Sequence, residues 1–315
     1  MKATASLSRP YSWKTPREHL VSAWRTFNTS LDTVFYDVGC LSQPERMWLS
    51  THNNPEGSIL VVYPASAGKE IRNLAPKDFV EEQSNTAEAE TIDTVVVAGV
   101  GSSAIGTAAL ARSVADQRGR PAAGIVSGLG MADLLSEALG GWFVLGAHNR
   151  MRDNYAKMLD ALGIKDHVRD QETHEDIKSE LRAADIREER FIYGSPDSTA
   201  LLYLLLKLGP KVKLLVGHSK GNYSIENAMA GWIAECKENG SPLPDKLCIV
   251  TLGAVLRFPA ECTDVHQFIG RLDYFGEMNS RPGLDRTCVP WAWHSLNTGL
   301  PGHLSLKTAL ASLEC

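Results

Sequence analysis

The chain has 315 residues, 43% of them apolar, and a formal net charge of −5. That is enough for one large α/β domain with an insertion, or for two small domains, and enough apolar material for a sizeable core. Near-neutral charge without long blocks of one sign argues against nucleic acid or an anionic membrane surface as the main partner.

In chain order, Met1 to Trp13 is polar and lacks the apolar core of a secretory signal. Leu20, Trp24, Phe27 and Leu31 recur at helical spacing and predict a helix from Pro16 to about Phe35. Ile59 to Tyr63 reads as a strand, and Glu81 to Glu90 as a polar loop. Residues 1–90 therefore read as an N-terminal extension with the first strands, a scaffold layer or dimer contact rather than a source of chemistry. From Thr94 the pattern becomes regular. Thr94 to Ala98 is a continuous apolar run, as expected of a strand buried on both faces. A Gly/Ser turn follows from Gly99 to Ser103, then a helix from Ala104 to Asp116 and a strand from Ala122 to Ser127. Met131 to Leu139 reads as a short apolar helix, and Asn149 to Arg190 as two charged ones. A helix at Ser198–Leu208, a strand at Val212–Val216 and a helix at Tyr223–Ala234 come next. The last strands are Leu247–Leu252, Val265–Ile269 and Thr287–Ala292, and Leu304–Leu313 is a closing helix. Alternating strands and helices imply a mostly parallel sheet covered on both faces. No apolar stretch reaches the ~18 residues that span a bilayer, so the expectation is a soluble cytoplasmic protein. The six cysteines, at 40, 236, 248, 262, 288 and 315, show no metal or redox spacing. They are expected to be reduced and structural, with Cys248 a buried thiol.

The sharpest motif is Gly217-His218-Ser219-Lys220-Gly221, which fits G-x-S-x-G between a strand and a helix. A serine on so tight a turn needs flanking residues without bulk, and glycine lets strand and helix approach closely. Its oxygen then projects at the positive end of the next helix, where the backbone N–H of Lys220 can hold an oxyanion. The alternative is an ordinary strand-to-helix turn that contains a serine. His218 is expected to pack under the turn rather than act as a base.

The segment Leu214-Leu-Val-Gly-His-Ser-Lys-Gly-Asn222 resembles the nucleophile elbow of the α/β-hydrolase superfamily, lipases and esterases especially. The resemblance covers about residues 93–310. It is poor in residues 1–90 and in the charged insertion. It implies a chain order of serine, acid and histidine, each of the latter two just past a strand end. Asp273 falls where the acid would lie, with Asp285 and Glu277 as fallbacks; Asp264 precedes its strand and would sit at the wrong sheet end. His294 follows the last strand and is the implied base, with His303 as the alternative. The loop Gly99–Ser103 would supply the second oxyanion donor, Gly101 or Ser102, with help from a hydroxyl of Ser102 or Ser103.

Gly99-Val-Gly-Ser-Ser-Ala104 also satisfies the dinucleotide fingerprint G-x-G-x-x-A. The acid expected at the end of the next strand is missing, since that strand ends Ile125-Val-Ser-Gly128. Residues 128–195 exceed what the fold needs between strand and helix and read as an inserted lid. Its apolar first part would place Leu135, Trp142 and Phe143 against an acyl chain, with glycines 140, 141 and 146 as hinges; helices packed on the sheet are the alternative.

The expectation is thus one α/β-hydrolase domain at 91–315 carrying that lid. It would cleave a carboxylic ester or lipid through an acyl-enzyme on Ser219, with no metal or organic cofactor and with oligomers possible. A thioesterase or amidase would use the same residues, and a non-catalytic binding protein on this fold is the alternative of another class.

Overall fold

The structure is a computed structural model that describes residues 32–52, 54–87, 90–99, 102–127, 176–181, 195–241, 246–311 and 313. Residues 32–35 are helical and are followed by α1 (Gln43–Thr51), β1 (Ile59–Val62), β2 (Arg72–Leu74) and α2 (Pro76–Asn85). Next come β3 (Thr94–Val97), α3 (Ala104–Arg118) and β4 (Ala122–Ile125). Residues 176–181 are helical. The second half gives α4 (Pro196–Leu208), β5 (Leu214–His218), α5 (Lys220–Asn239), β6 (Cys248–Leu252) and β7 (Asp264–Gly270). It closes with α6 (Tyr274–Met278), β8 (Thr287–Val289) and α7 (Leu306–Ala311).

The eight strands form one mixed sheet in the order β2-β1-β4-β3-β5-β6-β7-β8. The six from β4 to β8 run parallel, while β1 is antiparallel to both β4 and β2. Continuous apolar runs such as TVVV and the fully buried LLVGH follow from coverage on both faces. Val96, Val216 and Val250 pack toward one face with α3 (Ala108, Ala111) and α7 (Leu306). Their neighbours Val95, Leu215 and Ile249 pack toward the other with α4 (Leu201, Leu205) and α5 (Ile225, Met229). The α/β class with a mostly parallel sheet is therefore what the alternating pattern predicts.

Several boundaries differ from the sequence reading. Residues 81–85 are not loop but the last half of α2, whose Phe79, Val80 and Gln83 are buried. The last strand stops at Val289, because Trp291 takes the left-handed φ of 60° and turns the chain. Helix α1 starts on a capping box between Ser42 and Glu45 with a proline in its first turn. Of the helix expected at Pro16–Phe35, residues 32–35 are described and are helical. The helix expected at Met131–Leu139 lies outside the described residues, as do most of the charged stretch and of the segment read as a lid. The thiol reading of Cys248 is corrected: it is buried but disulfide-bonded, while Cys40, Cys236, Cys262 and Cys288 are free. Burial pushes the Cys40 and Cys262 thiols up to about 12, which disfavours the thiolate at both.

The chain leaves β3 toward β4 on one side, whereas β5 lies on the other side of β3. In parallel sheets, ligands gather in the crevice outside the carboxyl ends of strands where the order reverses in this way.

Candidate functional site

Ser219 follows β5 directly, at that reversal, and precedes the first residue of α5. Its backbone sits at φ 54° and ψ −121°, and among the described residues only Trp291 is another non-glycine with positive φ. Its N–H donates to the Leu252 carbonyl at 2.9 Å, tying the turn to the end of β6. Both flanking glycines are sterically required. A Cβ on Gly217 would lie 2.4 Å from Asn222 Oδ1, and one on Gly221 would lie 2.1 Å from the Val97 carbonyl oxygen. The absent side chains let α5 press against β3.

Three residues that the sequence separates widely meet here. His294 Nε2 lies 2.8 Å from Ser219 Oγ, and His294 Nδ1 lies 2.9 and 2.8 Å from the two carboxylate oxygens of Asp273. A carboxylate on Nδ1 holds the proton there and leaves Nε2 as the acceptor for the serine hydroxyl. Ser219, His294 and Asp273 are 5, 8 and 1% exposed, so the chain of bonds is largely withdrawn from water. Asp273 follows β7 and caps α6, accepting the Gly276 N–H at 2.6 Å. The two loops are clamped together, with Leu272 N–H donating to the Ala292 carbonyl at 2.8 Å. Phe35 packs edge-on against the His294 ring at 5.8 Å between centroids.

The alternative residues lie elsewhere. Asp264 opens β7, at the opposite sheet edge, and bonds His266 at 2.6 Å. Glu277 pairs with Arg286, Asp285 is exposed, and His303 Nδ1 donates to the Leu300 carbonyl at 3.0 Å. Lys220 turns its ammonium toward the fully buried Asp197, 3.5 Å away, so its side chain points at the start of α4. The Ser102 N–H donates to the Gly99 carbonyl at 3.3 Å, while Gly101, Leu135, Trp142 and Phe143 lie outside the described residues.

The N-terminus of α3 is filled from within. Asp32, 1% exposed, accepts the Ser103 N–H at 3.3 and 3.2 Å and the Ser103 hydroxyl at 2.5 Å. Burial outweighs these donors and raises the Asp32 carboxyl to about 7. A Cβ on Gly106 would fall 2.1 Å from Asp32 Oδ1. The place where a dinucleotide pyrophosphate would sit thus holds a protein carboxyl already.

One group of possible metal donors occurs among the described residues, Cys248, Asp264 and His266, with ligand atoms within 4.8 Å of one another. It lies at the start of β6 and β7, away from Ser219, and the disulfide leaves Cys248 without a thiolate to offer.

Asp32, Phe35 and Tyr36 carry no motif and fall in the region read as scaffold, so sequence reasoning missed them. Tyr36 Oη lies 2.9 Å from His218 Nδ1 and accepts the Gly99 N–H at 2.6 Å. Leu272, Tyr274, Phe275, Met278 and Trp291 form an exposed apolar rim on the acid- and base-bearing loops, and the Phe275 ring centroid is 6.3 Å from that of His294. Among the described residues, no helix is long and apolar enough to cross a membrane. No protein-family model matches the chain, and neither a curated protein nor a solved structure matches it.

Proposed function

We propose that the chain is a serine hydrolase of the α/β-hydrolase type that cleaves carboxylic esters with an apolar part through an acyl-enzyme on Ser219. The observation that carries this is the continuous bond chain from Ser219 through His294 to Asp273, starting from a serine whose backbone holds the φ of a nucleophile elbow. His294 Nε2 takes the hydroxyl proton as Oγ adds to the carbonyl, and Asp273 stabilises the imidazolium that results. The imidazolium returns the proton to the leaving alkoxide, and water, activated by the same nitrogen, releases the acid. The oxyanion forms beside the N-terminus of α5, where the N–H groups of Lys220 and Gly101 are the proposed donors, the Ser102 N–H being held by the Gly99 carbonyl at 3.3 Å. The exposed Phe275, 6.3 Å from the His294 ring, supports an apolar substrate, since exposed apolar side chains beside a reactive group can form a binding surface.

A fluorophosphonate probe followed by intact mass tests the reading. One probe is expected per wild-type chain and none on Ser219→Ala. An unlabelled wild type, or an equally labelled variant, overturns it.

A further inference from the structure

Beneath Ser219 runs a second set of hydrogen bonds, which the acyl-transfer steps do not use. His218 is 1% exposed, and its Nε2 lies 3.0 Å from the backbone carbonyl oxygen of His294. A carbonyl only accepts, so Nε2 carries the proton and donates. The Nδ1 of the same ring faces Tyr36 Oη at 2.9 Å. Burial, and then the neighbouring His294, hold the His218 imidazole well below its usual value, so the ring is neutral and Nδ1 is an acceptor. Tyr36 therefore donates its hydroxyl proton to Nδ1, while its oxygen accepts the Gly99 N–H at 2.6 Å. The bonds thus run in one direction, from Gly99 N–H through Tyr36 and His218 to the His294 carbonyl. The rings are interlocked as well. Tyr36 meets His218 edge-on at 5.3 Å, and His218 and His294 lie 4.9 Å apart. Space is tight on the far side too, where a Cβ on Gly253 would come within 2.9 Å of His294 Cε1 and 3.4 Å of His218 Nε2.

We propose that Tyr36 and His218 are positioning residues that fix the main chain of the base, His294, in register with the nucleophile and with the loop after β3. Asp273 orients the imidazole through its side chain, and the loop after β8 is held on either side of the base by Leu272 N–H on the Ala292 carbonyl and Leu296 N–H on the Phe35 carbonyl, both at 2.8 Å, which leaves the peptide of residue 294 itself to be fixed. The His218 bond fixes that peptide, and because His218 adjoins Ser219, nucleophile and base are referred to one rigid ring. Gly99 opens the loop expected to hold the oxyanion, so Tyr36 ties that loop to the same frame. A displacement of about 1 Å at such a site costs on the order of 10²-fold in rate.

The inference rests on the reading of Ser219 as nucleophile, and one experiment separates the two. The rate of fluorophosphonate labelling, with kcat and KM for p-nitrophenyl acetate, is measured on wild type, Ser219→Ala, His218→Leu, His218→Gln and Tyr36→Phe, with melting temperatures as the folding control. His218→Leu is expected to lose ~10²-fold in labelling rate and kcat with KM changed less than about twofold. His218→Gln keeps an N–H that can reach the His294 carbonyl, and is expected to recover at least ~10-fold of that loss. Tyr36→Phe, which removes one oxygen, is expected to lose ~10-fold and keeps the test open if His218→Leu does not fold. A wild type that labels, together with a folded His218→Leu or Tyr36→Phe that labels at the wild-type rate, overturns the positioning role alone. So does a folded His218→Gln no faster than a folded His218→Leu. A wild type that does not label overturns the nucleophile reading itself.

Discussion

The backbone of Ser219 offers a test of the site that needs no substrate. Ser219→Ala and Ser219→Gly both remove the hydroxyl and its bond to His294, so comparing them isolates the Cβ held at φ 54° and ψ −121°. A non-glycine residue in such a region stores on the order of 1–3 kcal/mol of strain. Glycine relieves the strain but adds freedom to the unfolded chain, which offsets about 0.4–1 kcal/mol. The glycine variant should therefore be the more stable of the two, by about 0.5–2 kcal/mol. For a chain of this size that is a rise of roughly 2 °C or somewhat more in melting temperature. Elsewhere in a strand or helix the order is reversed, with alanine ahead by up to about 1 kcal/mol. Urea unfolding followed by circular dichroism, with scanning fluorimetry, gives the comparison. An alanine variant as stable as the glycine variant, or more so, would show that the turn is unstrained and remove one of the two supports for the nucleophile.

The relay itself makes a sharper chemical prediction: Asp273→Asn should stay folded and lose about 10²- to 10⁴-fold in ester turnover, while His303→Ala stays within about threefold of wild type. Equal losses in the two variants would mean the wrong histidine has been assigned. Stability should also depend on pH through Asp32, whose folded value of about 7 stands above its ordinary 3.8. The native state then holds the proton more tightly, so the contribution is complete below pH 3.8 and is lost as pH rises through about 7. Three units correspond to at most about 4 kcal/mol. Urea unfolding between pH 4 and 8 should show a fall in wild type that Asp32→Asn lacks; equal slopes would refute it. His218 acts with the opposite sign, removing stability below its ordinary 6.5, and the subtraction of variant from wild type cancels it. Finally, kcat/KM for p-nitrophenyl esters should rise with acyl length by up to about fourfold per methylene, and Phe275→Ala should flatten that rise. A profile that is flat in the wild type would leave the rim without a role in binding.

What the sequence disclosed about this site depended on how local each constraint is. Gly217, Ser219 and Gly221 form a motif because the tight turn places both glycines within five consecutive residues, where a short pattern can register them. Asp273 and His294 could be placed because strands in a parallel sheet end at one edge, so a residue just past a strand is near every other such residue. The glycine that permits the elbow, by contrast, is matched by Val97, which no local pattern names. Tyr36 and Asp32 were invisible for the same reason: they reach loops more than sixty residues downstream through |i−j| separations of 63 and 71. Helix α2 was hidden by polar residues on its solvent face, since Glu81 and Glu82 weaken a pattern that Phe79, Val80 and Gln83 bury on the other side. Helix α1 did carry a local signal, Ser42-x-x-Glu45 with Pro44, but its single buried residue, Leu49, gives no periodicity to go with it.

Several costly features of this fold gather at one edge of the sheet. Of the two non-glycine residues with positive φ among those described, Ser219 is the serine of the relay and Trp291 lies three residues before its histidine. Asp32, a buried acid, and His218, a buried imidazole kept neutral, sit one on each side of the turn that follows β3. Each of these lowers stability when taken alone, through strain or through desolvation. A fold selected only for stability has no reason to place four such features at the carboxyl edge of β3, β5 and the loop after β8. Strain and buried polar groups persist where the surroundings over-determine them, and they accumulate where a geometry is needed that the chain would not otherwise adopt. The opposite sheet edge, where β3, β6 and β7 begin, holds a buried Asp93 paired with Arg120 at 2.9 Å, a half-exposed His266–Asp264 pair and no strained backbone among its described residues. That contrast supports a reaction centre at Ser219 on grounds other than the G-x-S-x-G pattern, because it rests on backbone angles and burial rather than on the spacing of glycines.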